Sequence, residues 1–141
     1  MSGTQAQIEI SAPMKAVYDV ITDFEAYPEF LNETKDVEIV KHTAKSARVT
    51  FKINLIKKIT YTLDIKFTPP KGIAWKLVEG DLMKKNSGKW KLSKNNDGTK
   101  AVYEIDMELG GLVPKAISSK LIGTSLPAMM KAFRDRVEEL A

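Results

Sequence analysis

The side chains that could do acid–base or metal chemistry in this chain are few and scattered. His42 is the only histidine and there is no cysteine, so a metal site or a nucleophilic dyad built on these residue types is not expected. Asp19 and Asp23 are four residues apart and would share a helix face. Val20 and Phe24 mark the buried side of that helix, so both aspartates are expected to be solvated. No catalytic residue and no metal ligand are predicted.

Aromatic side chains with one polar atom are the better candidates for a binding role. Tyr61, Trp75, Trp90 and Tyr103 fall at apolar positions of alternating segments. Each can donate one hydrogen bond to a carbonyl group on a mostly apolar ligand. A ring-closing enzyme would need an acid, a base or an oriented polar group at such positions. The inward positions carry no charge, which favours holding a molecule over transforming it.

These aromatic residues belong to segments that alternate apolar and polar residues between Arg48 and Gly110. Side chains in a strand point to opposite faces with period two, so the pattern predicts an antiparallel sheet that is wet on one face. The predicted dry face comprises Val49, Phe51, Ile53, Leu55, Ile59, Tyr61, Leu63, Ile65, Phe67, Ile73, Trp75, Leu77, Trp90, Leu92, Tyr103, Ile105, Met107 and Leu109.

The remaining segments complete an α+β order of one strand, two short helices, six strands and a long helix. Gln5–Ile10 reads as the first strand, and Pro13 stands where a helix tolerates proline. Turn signals separate the later strands, at Lys57-Lys58, Pro69-Pro70-Lys71-Gly72, Asn86-Ser87-Gly88 and Asn95-Asn96-Asp97-Gly98. After Gly110-Gly111 a helix is predicted nearly to the end, with Pro127 loosening one of its turns.

The width of such a sheet predicts an internal space. Seven strands about 4.8 Å apart span roughly 30 Å, whereas one helix with its side chains is about 10–12 Å wide. The sheet must therefore curl around the helix. A sheet wrapped around one helix leaves a space that the uncharged face would line.

A series of motifs begins at the end of the first strand, where "I-x-A-P" is followed by "V-[YF]-D-x-[IV]-x-D" and then "Y-P-x-F". The segments concerned are Ile10–Asp23, Tyr27–Phe30, Val78–Gly80, Gly88–Leu92, Gly98–Tyr103, and the closing helix with Pro114, Leu126-Pro127 and Arg134. Together they resemble the START-like (SRPBCC) superfamily, and more narrowly its polyketide cyclase/dehydrase or coenzyme Q-binding branch. The resemblance covers essentially the whole chain, so a single START-like domain is expected over residues 1–141.

This resemblance implies a helix-grip fold, in which a curved seven-stranded antiparallel sheet surrounds a long C-terminal helix. Similar proteins hold lipids, isoprenoid quinones or polyketides in the enclosed cavity. Gly80-Asp81-Leu82 stands where quinone-binding members carry "G-P-F", so the ligand stays open among these classes. The expected ligand-binding residues are Tyr27, Phe30, Phe51, Ile53, Tyr61, Leu63, Trp75, Trp90, Tyr103, Met107, Ile117, Leu121, Met129 and Phe133.

The leading hypothesis is therefore a non-enzymatic binding or carrier protein for a hydrophobic small molecule, without a cofactor. A first alternative is a ribosome-associating module, since one START-like branch is described as a toxin that binds the large ribosomal subunit. A second alternative is a polyketide cyclase or dehydrase. The net charge of +4 also permits contact with an anionic membrane. The candidates for contact with phosphates of ribosomal RNA or of a membrane are Lys57, Lys58, Lys84, Lys85, Lys89, Lys91 and Lys94. The oligomeric state is left open.

The compartment is expected to be the cytoplasm. The opening residues MSGTQAQ lack the charged and apolar regions of a signal peptide, and the absence of cysteine fits a reducing environment.

Overall fold

The computed structural model describes residues 3–54, 57–110 and 114–140, with only the backbone described at 118, 121 and 122. Leu55 and Gly111, named above, lie outside the described residues. The elements are β1 (Gly3–Ile10), α1 (Met14–Thr22), a 3-10 turn (Phe24–Ala26), α2 (Tyr27–Phe30), β2 (Thr34–His42), β3 (Ser46–Asn54), β4 (Lys58–Thr68), β5 (Gly72–Gly80), β6 (Met83–Asn95), β7 (Gly98–Leu109), α3 (Lys115–Lys120), a π-helical segment (Leu121–Ser125) and α4 (Leu126–Leu140).

The seven strands form one antiparallel sheet in the order β1-β7-β6-β5-β4-β3-β2. Strands β2 to β7 follow one another as hairpins, and β1 returns to pair with the last strand, from Gly3 opposite Asp106 to Ile10 opposite Thr99. Helix α4 packs against β1 and α1. The predicted helix-grip architecture, with two short helices after the first strand, is confirmed. No helix among the described residues is long and apolar enough to cross a membrane.

Burial follows the predicted alternation closely along most strands. Ala47, Val49 and Phe51 are buried on β3, while Arg48 and Lys52, on the opposite face, are exposed. Thr62 departs from the pattern, because it was expected to face water and is 6% exposed. Its hydroxyl lies 2.8 Å from that of Thr50 on the neighbouring strand, and this hydrogen bond offsets the cost of burying both polar groups.

The predicted turn at Asn86-Ser87-Gly88 is wrong, because β6 runs unbroken through it. The chain turns instead at Asp81 and Leu82, where Leu82 has a φ of 63°. Trp75 explains the turn-like residues inside the strand. Its indole N–H donates to the Asn86 side-chain oxygen at 2.9 Å. A Cβ on Gly88 would lie 2.2 Å from the backbone oxygen of Glu104 and 2.7 Å from the indole ring. These residues accommodate a buried tryptophan and do not reverse the chain.

The loosened turn expected near Pro127 is present as the π-helical segment that ends one residue before α4. Proline has no amide hydrogen, so Pro127 cannot donate to the carbonyl of Gly123 four residues earlier. Beyond it, α4 is regular and buries one face at spacings of three and four residues. That face consists of Leu126, Met130, Phe133 and Val137.

Aromatic side chains fill the middle of the sheet. Phe133 of α4 meets Tyr27, Phe30 and Trp90 with ring centroids 5.2–5.3 Å apart in edge-on arrangements, a geometry that aromatic pairs prefer. Phe51 stacks on Tyr27 with centroids 6.1 Å apart. This aromatic cluster separates a solid half of the interior, beside α1, from a hollow half beside the π-helical segment.

Candidate functional site

A cavity of about 690 Å³ lies between the inner face of the sheet and the C-terminal helical segments. It occupies one end of the sheet, where β1, β2 and β4 begin and where β3 and β7 end. The loop between α2 and β2 borders it on one side, and the π-helical segment with the start of α4 on the other. The predicted space between sheet and helix is thus present at this end of the sheet.

The wall of this cavity is mainly apolar, with a few polar groups at its edges. The apolar residues are Phe30, Leu31, Ile53, Ile105, Met107, Leu109, Leu126, Ala128, Met129 and Ala132. The polar residues are Thr4, Asn32, Glu33, Thr34, Tyr61, Tyr103, Glu108, Thr124 and Ser125. This composition is typical of sites for drug-sized ligands, whose volumes range from about 300 to 1,000 Å³.

Two phenols, on Tyr61 of β4 and Tyr103 of β7, join the cavity to the aromatic cluster. Tyr61 stacks on Phe51 with ring centroids 5.5 Å apart, and Tyr103 meets Trp90 at 4.9 Å and Trp75 at 5.4 Å. These contacts fix the orientation of both rings. The two tyrosines therefore form a rigid inner end of the cavity.

Neither phenol hydroxyl makes a hydrogen bond to a described residue. Among the described residues, no side-chain nitrogen or oxygen is both fully buried and without a hydrogen-bond partner, so both hydroxyls have access to the cavity. Burial raises the pKa of Tyr61 above its usual value of 10.0. Burial, together with the nearby Tyr61, raises the pKa of Tyr103 in the same direction. Both groups are neutral hydrogen-bond donors at physiological pH.

These pKa shifts predict that stability falls at high pH. The phenols of an unfolded chain ionise near pH 10, whereas the folded ones stay protonated, so ionisation favours the unfolded chain as the pH rises above about 10. Urea unfolding measured between about pH 8 and 11 should show this decline in the free energy of unfolding. The free energy should fall less steeply with pH in the Tyr61→Phe, Tyr103→Phe double variant. If the free energy of unfolding falls equally steeply with pH in both proteins, the raised pKa values of Tyr61 and Tyr103 are contradicted.

A polar cluster lies at the outer end of the cavity. The Ser125 hydroxyl donates to Oε2 of Glu33 at 2.7 Å, and the Lys120 ammonium lies 3.7 Å from the same oxygen. The other carboxylate oxygen of Glu33 has no partner among the described residues. The strands alone predicted no polar cluster inside the cavity; this one comes from the α2–β2 loop and the helical segments. Their side chains do not follow the alternation of a sheet.

The structure brings together some of the predicted ligand-binding residues and places others in the core. Those lining the cavity are Phe30, Ile53, Tyr61, Tyr103, Met107 and Met129. Those buried elsewhere are Tyr27, Phe51, Leu63, Trp75, Trp90, Ile117 and Phe133. The side chain of Leu121 lies outside the described residues. Contact with a ligand stays a prediction for every one of them.

Tyr27 shows why a predicted rim residue can belong to the core. Its ring is 8% exposed, and its hydroxyl donates to the backbone carbonyl of Ile21. Burial also raises its pKa well above the usual value. A satisfied, buried phenol of this kind secures the short helices and does not line the cavity wall.

Sequence reasoning missed two groups of apolar cavity residues, besides Leu31, Leu126 and all of the polar ones except Tyr61 and Tyr103. Ile105 and Leu109 were assigned to the dry face and left out of the predicted site. Ala128 and Ala132 are small, so they stand out less in the sequence than large apolar residues do. Their spacing with Ser125 and Met129 nevertheless places them on one helical stripe. This stripe of small residues leaves the space that the cavity occupies.

The isolated candidates for chemistry are on the surface. Asp19 pairs with Lys15 at 2.9 Å, and both side chains are exposed. His42 is also exposed. On the outer face of the sheet, ion pairs join Lys85 to Asp106 at 2.8 Å and Lys89 to Glu104 at 3.7 Å. The charges on this face are mixed, and they give no specific support to ribosome or membrane contact.

Comparison with known families agrees with this architecture. A family described as "Polyketide cyclase / dehydrase and lipid transport" matches residues 10–134. The chain belongs to this family. The suspected START-like relationship is therefore confirmed, with cyclisation or dehydration and lipid transport as the activities that the family's description covers.

Individual relatives are distant in sequence. A Streptomyces cyaneus protein with the provisional name polyketide cyclase is 25% identical over 98% of this chain and 95% of its own length. A START superfamily protein from Mycobacterium smegmatis superposes with a TM-score of 0.85, at 22% identity and with 99% of both chains covered. The ZhuI aromatase/cyclase from Streptomyces sp. R1128 gives 0.87 at 17% identity, covering 98% of this chain and 94% of its own. These structural likenesses support the fold.

Proposed function

We propose that this family member binds a hydrophobic small molecule in the cavity between the sheet and the C-terminal helix. The observation that carries the proposal is the cavity of about 690 Å³ with a mainly apolar wall and a few polar groups at its two ends. Removing apolar surface from water stabilises a bound ligand by roughly 25 cal/mol per Å², and the polar ends orient it. The proposed ligand is a lipid, an isoprenoid quinone or a polyketide-like aromatic compound.

The chemistry of the wall favours holding a ligand over transforming it. The described cavity residues include no histidine, lysine or arginine. The phenols of Tyr61 and Tyr103 are neutral because burial raises their pKa, so they donate hydrogen bonds without giving up a proton. The wall contains two carboxylates, Glu33 and Glu108, and Glu33 accepts a hydrogen bond from Ser125 through one of its oxygens. A carrier needs only these features, and we place the protein in that class.

A cyclase or dehydrase is the second candidate, and the polar cluster at the cavity mouth is the observation that favours it. The carboxylate of Glu33 could remove a proton from the carbon next to a ligand carbonyl. The phenols of Tyr61 and Tyr103, at the other end of the cavity, would hold a second carbonyl group of the same ligand by hydrogen bonding. The Streptomyces cyaneus relative carries a name of this class. Under this alternative the cavity is the same and only the fate of its occupant differs.

Extraction of the purified protein identifies the occupant and tests the proposal. Organic-solvent extraction followed by mass spectrometry should release one hydrophobic compound in near-stoichiometric amount from the folded protein. A carrier returns this compound unchanged after incubation, whereas a cyclase returns a product that has lost water or gained a ring. No compound from the folded protein, together with no binding of any lipid, quinone or aromatic polyketone, would overturn the proposal.

A further inference from the structure

The cavity has different hydrogen-bonding character at its two ends, and this polarity constrains the ligand. The inner end presents the hydroxyls of Tyr61 and Tyr103, which have no partner among the described residues. The outer end presents the carboxylate of Glu33, which accepts from Ser125 through Oε2. A carboxylate can only accept hydrogen bonds, whereas a neutral phenol can donate one. Among these groups, the phenols are the available donors at the inner end, and the second oxygen of Glu33 is the available acceptor at the outer end.

Ligand groups must complement these ends, because a polar group that loses water without gaining a partner costs about 1–3 kcal/mol. A carbonyl oxygen suits the inner end, since it accepts from the phenols. A hydroxyl suits the outer end, since it donates to the free oxygen of Glu33. A second carboxylate there would be repelled. Lys120, 3.7 Å from Glu33, balances its charge, so a neutral hydroxyl fits better than an ammonium group.

The cavity volume sets the size of the molecule. A space of about 690 Å³ falls in the range of about 300–1,000 Å³ of pockets that hold drug-sized ligands. A two-chain lipid or a quinone with a long isoprenoid tail is larger than this and could insert only in part. A compact ring system fills the space.

We infer that the cavity takes a compact ring compound with a carbonyl at its inner end, held by Tyr61 and Tyr103, and a hydroxyl at its outer end, held by Glu33. This inference rests on the proposed function and assigns the orientation of the ligand in the same cavity. Glu33 then becomes the residue that selects hydroxylated ligands.

A matched ligand series separates the two ends. The probe 2-ethylnaphthalene carries neither polar group, and 2-acetylnaphthalene carries only the carbonyl. The probe 6-ethyl-2-naphthol carries only the hydroxyl, and 6-acetyl-2-naphthol carries both. Calorimetric titration of the wild-type protein should show that 6-acetyl-2-naphthol binds most tightly. Each polar group should improve the affinity about tenfold. Tyr61→Phe with Tyr103→Phe should remove only the carbonyl advantage, and Glu33→Met only the hydroxyl advantage.

A further variant controls for structural damage. Glu38→Met removes an exposed carboxylate from β2, outside the cavity wall, and should change no affinity. The inference is overturned if all probes bind equally to the wild type, or if Glu33→Met weakens all of them equally. Equal binding would leave the hydrophobic carrier intact, whereas no binding of any probe would count against the carrier as well.

Discussion

Replacing Ala132 by tryptophan is expected to weaken binding of 2-acetylnaphthalene by roughly ten- to hundredfold. Ala132 is half-buried and lines the helix side of the cavity, so an indole at this position would occupy the space that the ligand ring needs. Losing the burial of one aromatic group costs about 1.5–3 kcal/mol, which corresponds to roughly ten- to hundredfold in affinity. Isothermal titration calorimetry measures the change directly.

Ala116→Trp is the matched control for that experiment. Ala116 is exposed on α3 and does not line the cavity, so the same substitution there should leave the affinity unchanged. If Ala132→Trp binds the probe as tightly as the wild type, the ligand occupies another part of the molecule.

Replacing Phe133 by alanine is expected to destabilise the fold by about 3–5 kcal/mol, the usual cost of deleting a buried phenylalanine ring. The side chain is 2% exposed and joins α4 to Tyr27, Phe30 and Trp90. Its removal leaves a void where the helix meets the sheet. Urea unfolding should give this loss as a lower midpoint with an unchanged slope.

Leu140→Ala is the control on the same helix. Leu140 is 63% exposed, and substitutions at such positions usually change stability by less than about 0.5 kcal/mol. A cost below about 1 kcal/mol for Phe133→Ala would mean that its ring faces open space. The solid half of the interior would then be hollow as well.

The fold could be predicted because its determinants are periodic. Val49 and Phe51 alternate with charged residues on β3, and burial reproduces that period. Local composition was a weaker guide where a tertiary contact overrides it. Asn86 and Gly88 are residue types typical of turns, yet they lie within a strand. Asn86 accepts a hydrogen bond from the Trp75 indole, and Gly88 leaves space for its ring.

The candidate site could be predicted only in part, because residues from non-periodic segments complete it. Tyr61, Tyr103 and Met107 follow the strand alternation and were expected at the cavity. Glu33 comes from a loop, and its approach to Ser125, 92 positions later in the chain, has no signature in the sequence. The location of the cavity depends on which helix residues have small side chains. Ala132 shows that the contribution of a small side chain to a cavity is harder to predict than that of a large one.

The central claim is that a hydrophobic molecule lies in this cavity, and nuclear Overhauser contacts to methionine methyl groups test it most directly. Met107 and Met129 line the cavity, whereas Met14 packs on the core from α1, outside that wall. With 2-acetylnaphthalene bound to methyl-labelled protein, the account predicts contacts from the probe to Met107 and Met129 and none to Met14. Contacts to Met14 alone, or unperturbed Met107 and Met129 signals at saturating probe, would contradict it.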